Sequence, residues 1–388
     1  MKFSEEIVII GVGETPVGKL PRHGPTQLQA WAALEAVSDA GISLHEVDGL
    51  INQDPYSIPH SMFALALSEY LGIKPTYVST CDVGGSVTVM SMLQTAAWAV
   101  MSGSCGICLV VQGENLATSR PAGSSGHVLH THQGGDDFKE PFGVQGAVIP
   151  YALIAQRYCH ETGVDPNEFA DVAIQMRKNA MRLKNRQSTG LMSREDYMRS
   201  PLIADPLRKL DCSLVSDGAA AFLVTSRRTA LRLGIRGVVI KSFAMRATHC
   251  SIVQQPDISD LAVSSVASAA LEDIGLGIAD MDLFLVHDAF TISLLLQLEG
   301  IGLCKPGEAA QLFSRGDADI DAKHPVNPHG GLLSQAHFGG ALHGVEAVRQ
   351  LRQDALGRQV KNARHALWCG NGGIFSVFGV MILAADGV

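Results

Sequence analysis

The chain is predicted to be a layered α/β protein built from two similar halves. Three observations carry that expectation. Short apolar strands alternate with helical patterns, one segment recurs late in the chain, and a middle stretch departs from both in composition. With 388 residues, 46% of them apolar, the chain is long enough for two domains or two halves around a shared core.

IVIIGVG (7–13) reads as a buried strand ending in glycine, and TQLQAWAALEAVSDAG (26–41) as a helix with a glycine stop. VDGLINQD, a helix near MFALALSEYLG, the strand TYVST, a helix from about Ser86 to Met101, and CGICLVVQG continue the alternation to Glu114. From Asn115 to about Leu210 the composition changes. GSSGHVLHTHQGG is rich in glycine and histidine, and charged helical patterns follow it, so 115–210 reads as an excursion of surface helices placed over the sheet. SDGAAAFLVTS (216–226) returns to buried strand character.

The repeat sets the architecture. ALEAVSDAGISLHEVDGLIN (33–52) is echoed by ALEDIGLGIADMDLFLVHD (270–288), with the same spacing from Gly41 to Asp48 as from Gly275 to Asp282. IVIIGV is matched by VVIKSF (238–243), and GGSVTVMSMLQTA followed by CGICLVV is matched by GGALHGVEAVRQL followed by HALWCGN. The halves are placed at 1–235 and 236–388, and a site is expected at their seam, where helix N-termini point toward a shared centre.

Composition removes several classes. The net charge of -8 and the lack of long Lys/Arg runs argue against a nucleic-acid surface. The most basic stretch, RKNAMRLKNR (177–186), is either a solvated helix face or a surface for an anionic ligand. No leader is recognised, and LFLVHDAFTISLLLQL is broken by His287 and Asp288 short of a membrane span, so a cytoplasmic protein is expected. The eight cysteines lack zinc-ligand spacing, and Cys105 and Cys108 lie in a strand-like segment. His127, His130 and His132 have no neighbouring Cys or carboxylate to complete a metal set, so no metal is expected.

Candidate chemistry gathers at the seam. In the second half it comprises His287 after LFLV, His337 in SQAHFGG, and Cys369 after HALW, each where an apolar segment meets a loop or glycine turn. A single such residue is ordinarily structural, but three at equivalent junctions favour a site. In STCDVGGSV (79–87), Cys81 is a nucleophile candidate if the following helix N-terminus lowers its pKa, and otherwise a packing residue. Ser86 is either a helix cap or a hydroxyl that requires a base within reach.

The chain resembles the thiolase superfamily, within it the branch of the sterol carrier protein-x thiolase domain and the lipid-transfer or acetyl-CoA acetyltransferase-like proteins. The motifs that carry the resemblance are IVIIGVGETPVGK, YALIAQRYCHETGVDPNEFADVAIQMRKNA (151–180), LDCSLVSDGAAAFLV, HDAF with LEGIGLCKPGEAAQLF, NPHGGLLSQAHFGGALHG and CGNGG. It implies a duplicated thiolase fold of five layers, αβαβα, with an inserted loop domain. It also implies a homodimer, and a coenzyme A thioester as substrate with no covalently bound cofactor. His287 matches the polar residue of the family's HDxF or NEAF motif, His337 the histidine of GHPxGA, and Cys369 the acid/base cysteine of CxGGG. Ala336 and Phe338 replace the Gly and Pro of GHP, and Asn371 interrupts the last glycine run.

The nucleophile is assigned differently by two criteria. Spacing back from Glu114 selects Ser86, whereas the local pattern C-x-x-G-G selects Cys81 at the expense of roughly five extra residues, more than a helical turn. Relatives lacking the cysteine look like retro-aldolases that use second-half tyrosines. This chain has none after Tyr197, which leaves His337, His343 or Cys369 as acid/base groups. The resemblance further implies a small partner with an OB-fold and a zinc ribbon, forming a heterotetramer. Three functions follow as expectations: thiolysis of a 3-oxoacyl-CoA or acyl transfer, retro-aldol cleavage of a 3-hydroxyacyl-CoA, and non-catalytic binding of acyl-CoA or lipid.

Overall fold

The strands alternate their side chains between separate apolar layers, and this decides the architecture. The computed structural model describes residues 6–388 apart from 59, 120–137, 139, 145, 256 and 258–260. Its strands are β1 (Ile7–Glu14), β2 (Gly49–Asn52), β3 (Tyr77–Thr80), β4 (Ile107–Asn115), β5 (Leu202–Ala204), β6 (Leu207–Arg208), β7 (Asp217–Ser226), β8 (Val238–Ala247), β9 (Leu283–Val286), β10 (His365–Gly372) and β11 (Val377–Ala384). Nine form one mixed sheet in the order β3-β2-β4-β7-β1-β8-β11-β10-β9, and β5 pairs with β6 apart from it. The five-layer expectation counts two sheets. Here the halves are joined by the two residue pairs Val8 with Val239 and Ile9 with Val238.

On β1, Ile7 and Ile9 enter a central apolar cluster, while Val8 and Ile10 face an outer one. On β10, Ala366 and Trp368 join the central cluster, and Leu367 and Cys369 face a third. Alternation of period two thus buries both faces of the sheet, as the near-continuous apolar strand sequences require. The helix Pro25–Ala40 packs on the outer face of β1, β4 and β7. Helices Gly85–Met101 and Ala341–Leu351 are shared, each touching strands of both halves. The third cluster is roofed by Thr291–Gly300 and by two excursion helices, Val148–Thr162 and Phe169–Ala180.

The repeated segments fold alike. Gly41 and Gly275 both take left-handed backbone, with φ of 67° and 68°. Asp48 then accepts hydrogen bonds from the Gly106 and Ile107 amides at the start of β4, and Asp282 accepts them from the Arg364 and His365 amides at the start of β10. The parallel pairs β2/β4 and β9/β10 are therefore clipped by the same device.

Other features of the sequence find structural uses. Cys105 and Cys108 are buried free thiols at the start of β4. Of the basic run, Lys178 and Arg182 pair with Asp319, and Arg177 donates to Ser334 Oγ at 3.2 Å. Among the described residues, no helix is long and apolar enough to cross a membrane, and no group of three His, Cys, Asp or Glu could hold a metal ion. His127, His130 and His132 lie outside the described residues.

Candidate active site

The site forms where the two halves meet, from one helix start, one strand end and two glycine-rich turns. Gly84 and Gly85 precede Ser86 with φ of 93° and 51°. A side chain on Gly85 would place its Cβ 2.2 Å from the Asn371 carbonyl oxygen, so only glycine lets this turn seat against the end of β10. Asp82 secures the turn by accepting from the Gly84 amide at 3.0 Å and from Thr88 Oγ1 at 3.1 Å. Ser86 then lies fully buried in the first turn of Gly85–Met101, in the positive end of the helix dipole.

His287 follows the buried run LFLV of β9. Its amide continues the parallel pairing by donating to the Cys369 carbonyl at 3.0 Å. Asn327 brackets the preceding residue, accepting from the Val286 amide and donating to the Val286 carbonyl, both at 2.8 Å. The result is a short contact across the halves: Ser86 Oγ lies 2.5 Å from His287 Nδ1. Burial first, and the neighbouring His337 and His343 second, hold the His287 imidazole well below its ordinary value of 6.5. The ring is therefore neutral at pH 7, with a lone pair ready to accept the serine proton.

His337 approaches from the turn before Ala341–Leu351. Its ring centroid is 6.5 Å from that of His287, at 86° to it. Nδ1 lies 2.8 Å from Ser213 Oγ, and the His337 amide donates to Ser216 Oγ at 2.8 Å. The Ser213 hydroxyl beside Nδ1 fixes the orientation of the ring. Cys369 is fully buried, its thiol 3.5 Å from Gln297 Oε1, and burial pushes its pKa far up, so it stays protonated. Gln297 Nε2 in turn donates to the His287 carbonyl at 2.7 Å, linking Cys369 to the histidine.

The structure thus brings Ser86, His287, His337 and Cys369 into one neighbourhood. Cys81 lies elsewhere. Its thiol contacts Ser91 Oγ at 3.5 Å, more than a helical turn beyond Ser86, and it packs on the central cluster. Ser213, Gln297 and Gln112 escaped sequence reasoning. Gln112 Oε1 accepts from the Gly340 and Ala341 amides at 3.1 and 3.2 Å and so holds the His337 turn. Its one visible signal was its position two residues before Glu114, on the same strand face.

Comparison with known proteins identifies the family. Residues 7–228 match the thiolase N-terminal domain and residues 244–385 the thiolase C-terminal domain-like family. The chain belongs to the thiolase superfamily. A 17-hydroxy-3-oxo-4-pregnene-20-carboxyl-CoA lyase of Mycobacterium tuberculosis is 30% identical over 375 residues, covering 94% of this chain and 96% of the relative. An acetyl-CoA acetyltransferase of Methanothermobacter thermautotrophicus is 29% identical, covering 92% and 94%. The solved Ltp2-ChsH2(DUF35) aldolase superposes with a TM-score of 0.86 at 26% identity, covering 98% of both chains.

Proposed function

We propose that the chain is an acyl-CoA lyase that cleaves a 3-hydroxyacyl-CoA by retro-aldol chemistry, without a covalent acyl-enzyme. The observation that carries this reading is the Ser86 to His287 contact, with Cys81 turned instead to Ser91. A relative named as a CoA lyase and a similar solved aldolase support it.

Ser86 Oγ accepts the proton of the substrate 3-hydroxyl while its own proton passes to His287 Nδ1. The electrons of that O–H bond form the carbonyl, the bond between C2 and C3 breaks, and its electron pair becomes the thioester enolate. His337, oriented by Ser213, donates to the enolate oxygen. The Cys369 thiol, kept protonated by burial, supplies the proton to C2. The proton held by His287 later replaces the one Cys369 gave up, so the cycle is proton-neutral.

We also propose a homodimer, with a small OB-fold and zinc-ribbon partner completing a heterotetramer, as the family resemblance implies; the similar solved aldolase carries both Ltp2 and ChsH2(DUF35) in its name. The halves 1–235 and 236–388 and the five-layer description of the fold belong to the same reading.

Mass spectrometry of products from branched 3-hydroxyacyl-CoA substrates tests the proposal. The expected result is one carbonyl compound and one shortened acyl-CoA with no free CoA consumed, and a loss of about 100-fold or more in His287→Ala. CoA-dependent cleavage of a 3-oxoacyl-CoA, with none of the 3-hydroxy compound, would establish thiolysis instead. The acetyltransferase relative favours that second reading, in which Ser86 is the acylated residue. Binding without either reaction would leave a non-catalytic acyl-CoA subunit.

A further inference from the structure

The third histidine of the glycine-rich stretch is absorbed by none of these steps. His343 is fully buried in the helix Ala341–Leu351, and its Nε2 lies 3.1 Å from the Val286 carbonyl and 3.3 Å from Asp288 Oδ1. These oxygens belong to the residues on either side of His287. Both are acceptors, so the ring carries its proton on Nε2 and shares it between them.

We propose that His343 is a positioning residue that grips the chain on both flanks of His287 and so sets the imidazole against Ser86. The inference rests on the lyase reading for its kinetic consequence, but not for its geometry.

Two further contacts give the grip its direction. Asp288 is itself fixed, accepting from the Leu332 and Leu333 amides at 2.8 and 3.3 Å, while Gly331 passes so close that an added Cβ would lie 2.0 Å from Asp288 Oδ2. At the head of the same helix, Gly340 presses on the serine: an added Cβ there would lie 2.1 Å from Ser86 Oγ. One turn of one helix therefore touches both members of the pair, the serine through Gly340 and the histidine's flanks through His343. Among the described residues, His343 Nδ1 has no hydrogen-bond partner and faces the edge of His329, whose ring centroid is 4.7 Å away at 84° and whose nitrogens also lack partners there.

The test compares His343→Leu, which keeps bulk and loses the donor, with His343→Gln, whose amide reaches the same two oxygens. Steady-state kinetics on a cleaved acyl-CoA are expected to show kcat reduced ~10- to 100-fold in His343→Leu with KM nearly unchanged, and kcat within ~3-fold of wild type in His343→Gln. Should His343→Leu not fold, His343→Asn, too short to span both oxygens, is expected to show the same loss. Equal damage in Gln and Leu (or Asn) variants that retain native near-UV circular dichroism would overturn the proposal, as would wild-type kcat in the Leu or Asn variant.

If the wild-type protein cleaves no acyl-CoA, the lyase reading fails by itself. The grip is then read from the ¹⁵N shifts of the His287 ring in the ligand-free protein. The Nδ1 signal is expected to keep its hydrogen-bonded position in His343→Gln and to move toward that of a free ring nitrogen in His343→Leu. An unmoved signal in His343→Leu refutes the grip whatever the reaction.

Discussion

Replacing Gly340 by alanine perturbs the Ser86 to His287 pair without replacing either residue. Gly340 has φ of -109°, which alanine adopts freely, so the effect is steric rather than conformational. The new Cβ would lie 2.1 Å from Ser86 Oγ, 2.3 Å from its Cβ and 2.5 Å from its Cα. Ordinary contact begins near 3.5 Å, so the helix start and the serine turn must separate by about 1 Å. A 2.5 Å contact stretched by that amount leaves hydrogen-bond range. Activity is expected to fall ~100-fold, with a loss of about 1–3 kcal/mol of stability from overpacking. Gly300→Ala is the control: its Cβ would meet Val263 Cγ1 at 2.0 Å, on the roof of the third cluster. It is expected to lose similar stability and keep wild-type turnover. Steady-state rates and chemical denaturation of both variants decide the matter, and full activity in folded Gly340→Ala would refute the reasoning.

Cys81→Ala is expected to retain at least about half of wild-type kcat, because the thiol faces Ser91, and assay of the purified variant checks it. The low pKa of His287 places its limb in the pH profile of kcat/KM well below 6.5, so activity between pH 6 and 7 is expected to be flat with respect to this group. An acid limb near 6.5 that disappears in His287→Gln would contradict this. Glu114 accepts from the Tyr56 amide at 2.6 Å and from Ser57 Oγ at 2.9 Å, yet burial raises its carboxyl to about 7. Its folded value lies above the unfolded one, so the native state holds the proton more tightly and stability falls as pH rises from about 4.5 to 7, by up to about 3 kcal/mol. Denaturation across that range is expected to lose this slope in Glu114→Gln.

Much of the scaffold was legible in the sequence because it rests on local rules. The Gly41 and Gly275 helix stops and the apolar runs of β4, β7 and β9 each follow from backbone conformation or period-two burial, whereas the aspartates after those glycines showed only a repeated spacing, their partners lying far along the chain. The candidate site was partly legible residue by residue, since His287 and His337 sit at junctions between an apolar segment and a turn, whereas Cys369, expected at such a junction, lies within β10 because the strand runs on to Gly372. The pairing was not. Whether Ser86 or Cys81 meets a histidine depends on how far the helix Gly85–Met101 reaches into the second half, and that is set by glycine contacts with Asn371 and Gly340 from distant parts of the chain. Ser213 and Gln297 were invisible for the same reason, because Ser213 acquires its role from His337 and Gln297 its contact with the thiol from Cys369, each more than seventy residues away. His343 looked ambiguous because a histidine one turn into a helix has no local signature of what its ring will meet.

The central claim is that Ser86 and His287 move a proton rather than form an acyl ester. Intact-protein mass spectrometry of samples acid-quenched during turnover of a 3-hydroxyacyl-CoA measures this directly. The account predicts cleaved products accumulating while the protein mass stays unmodified at every time point. A mass increase equal to the acyl group, mapped to Ser86 or to Cys81 and chased away by free CoA, would contradict it.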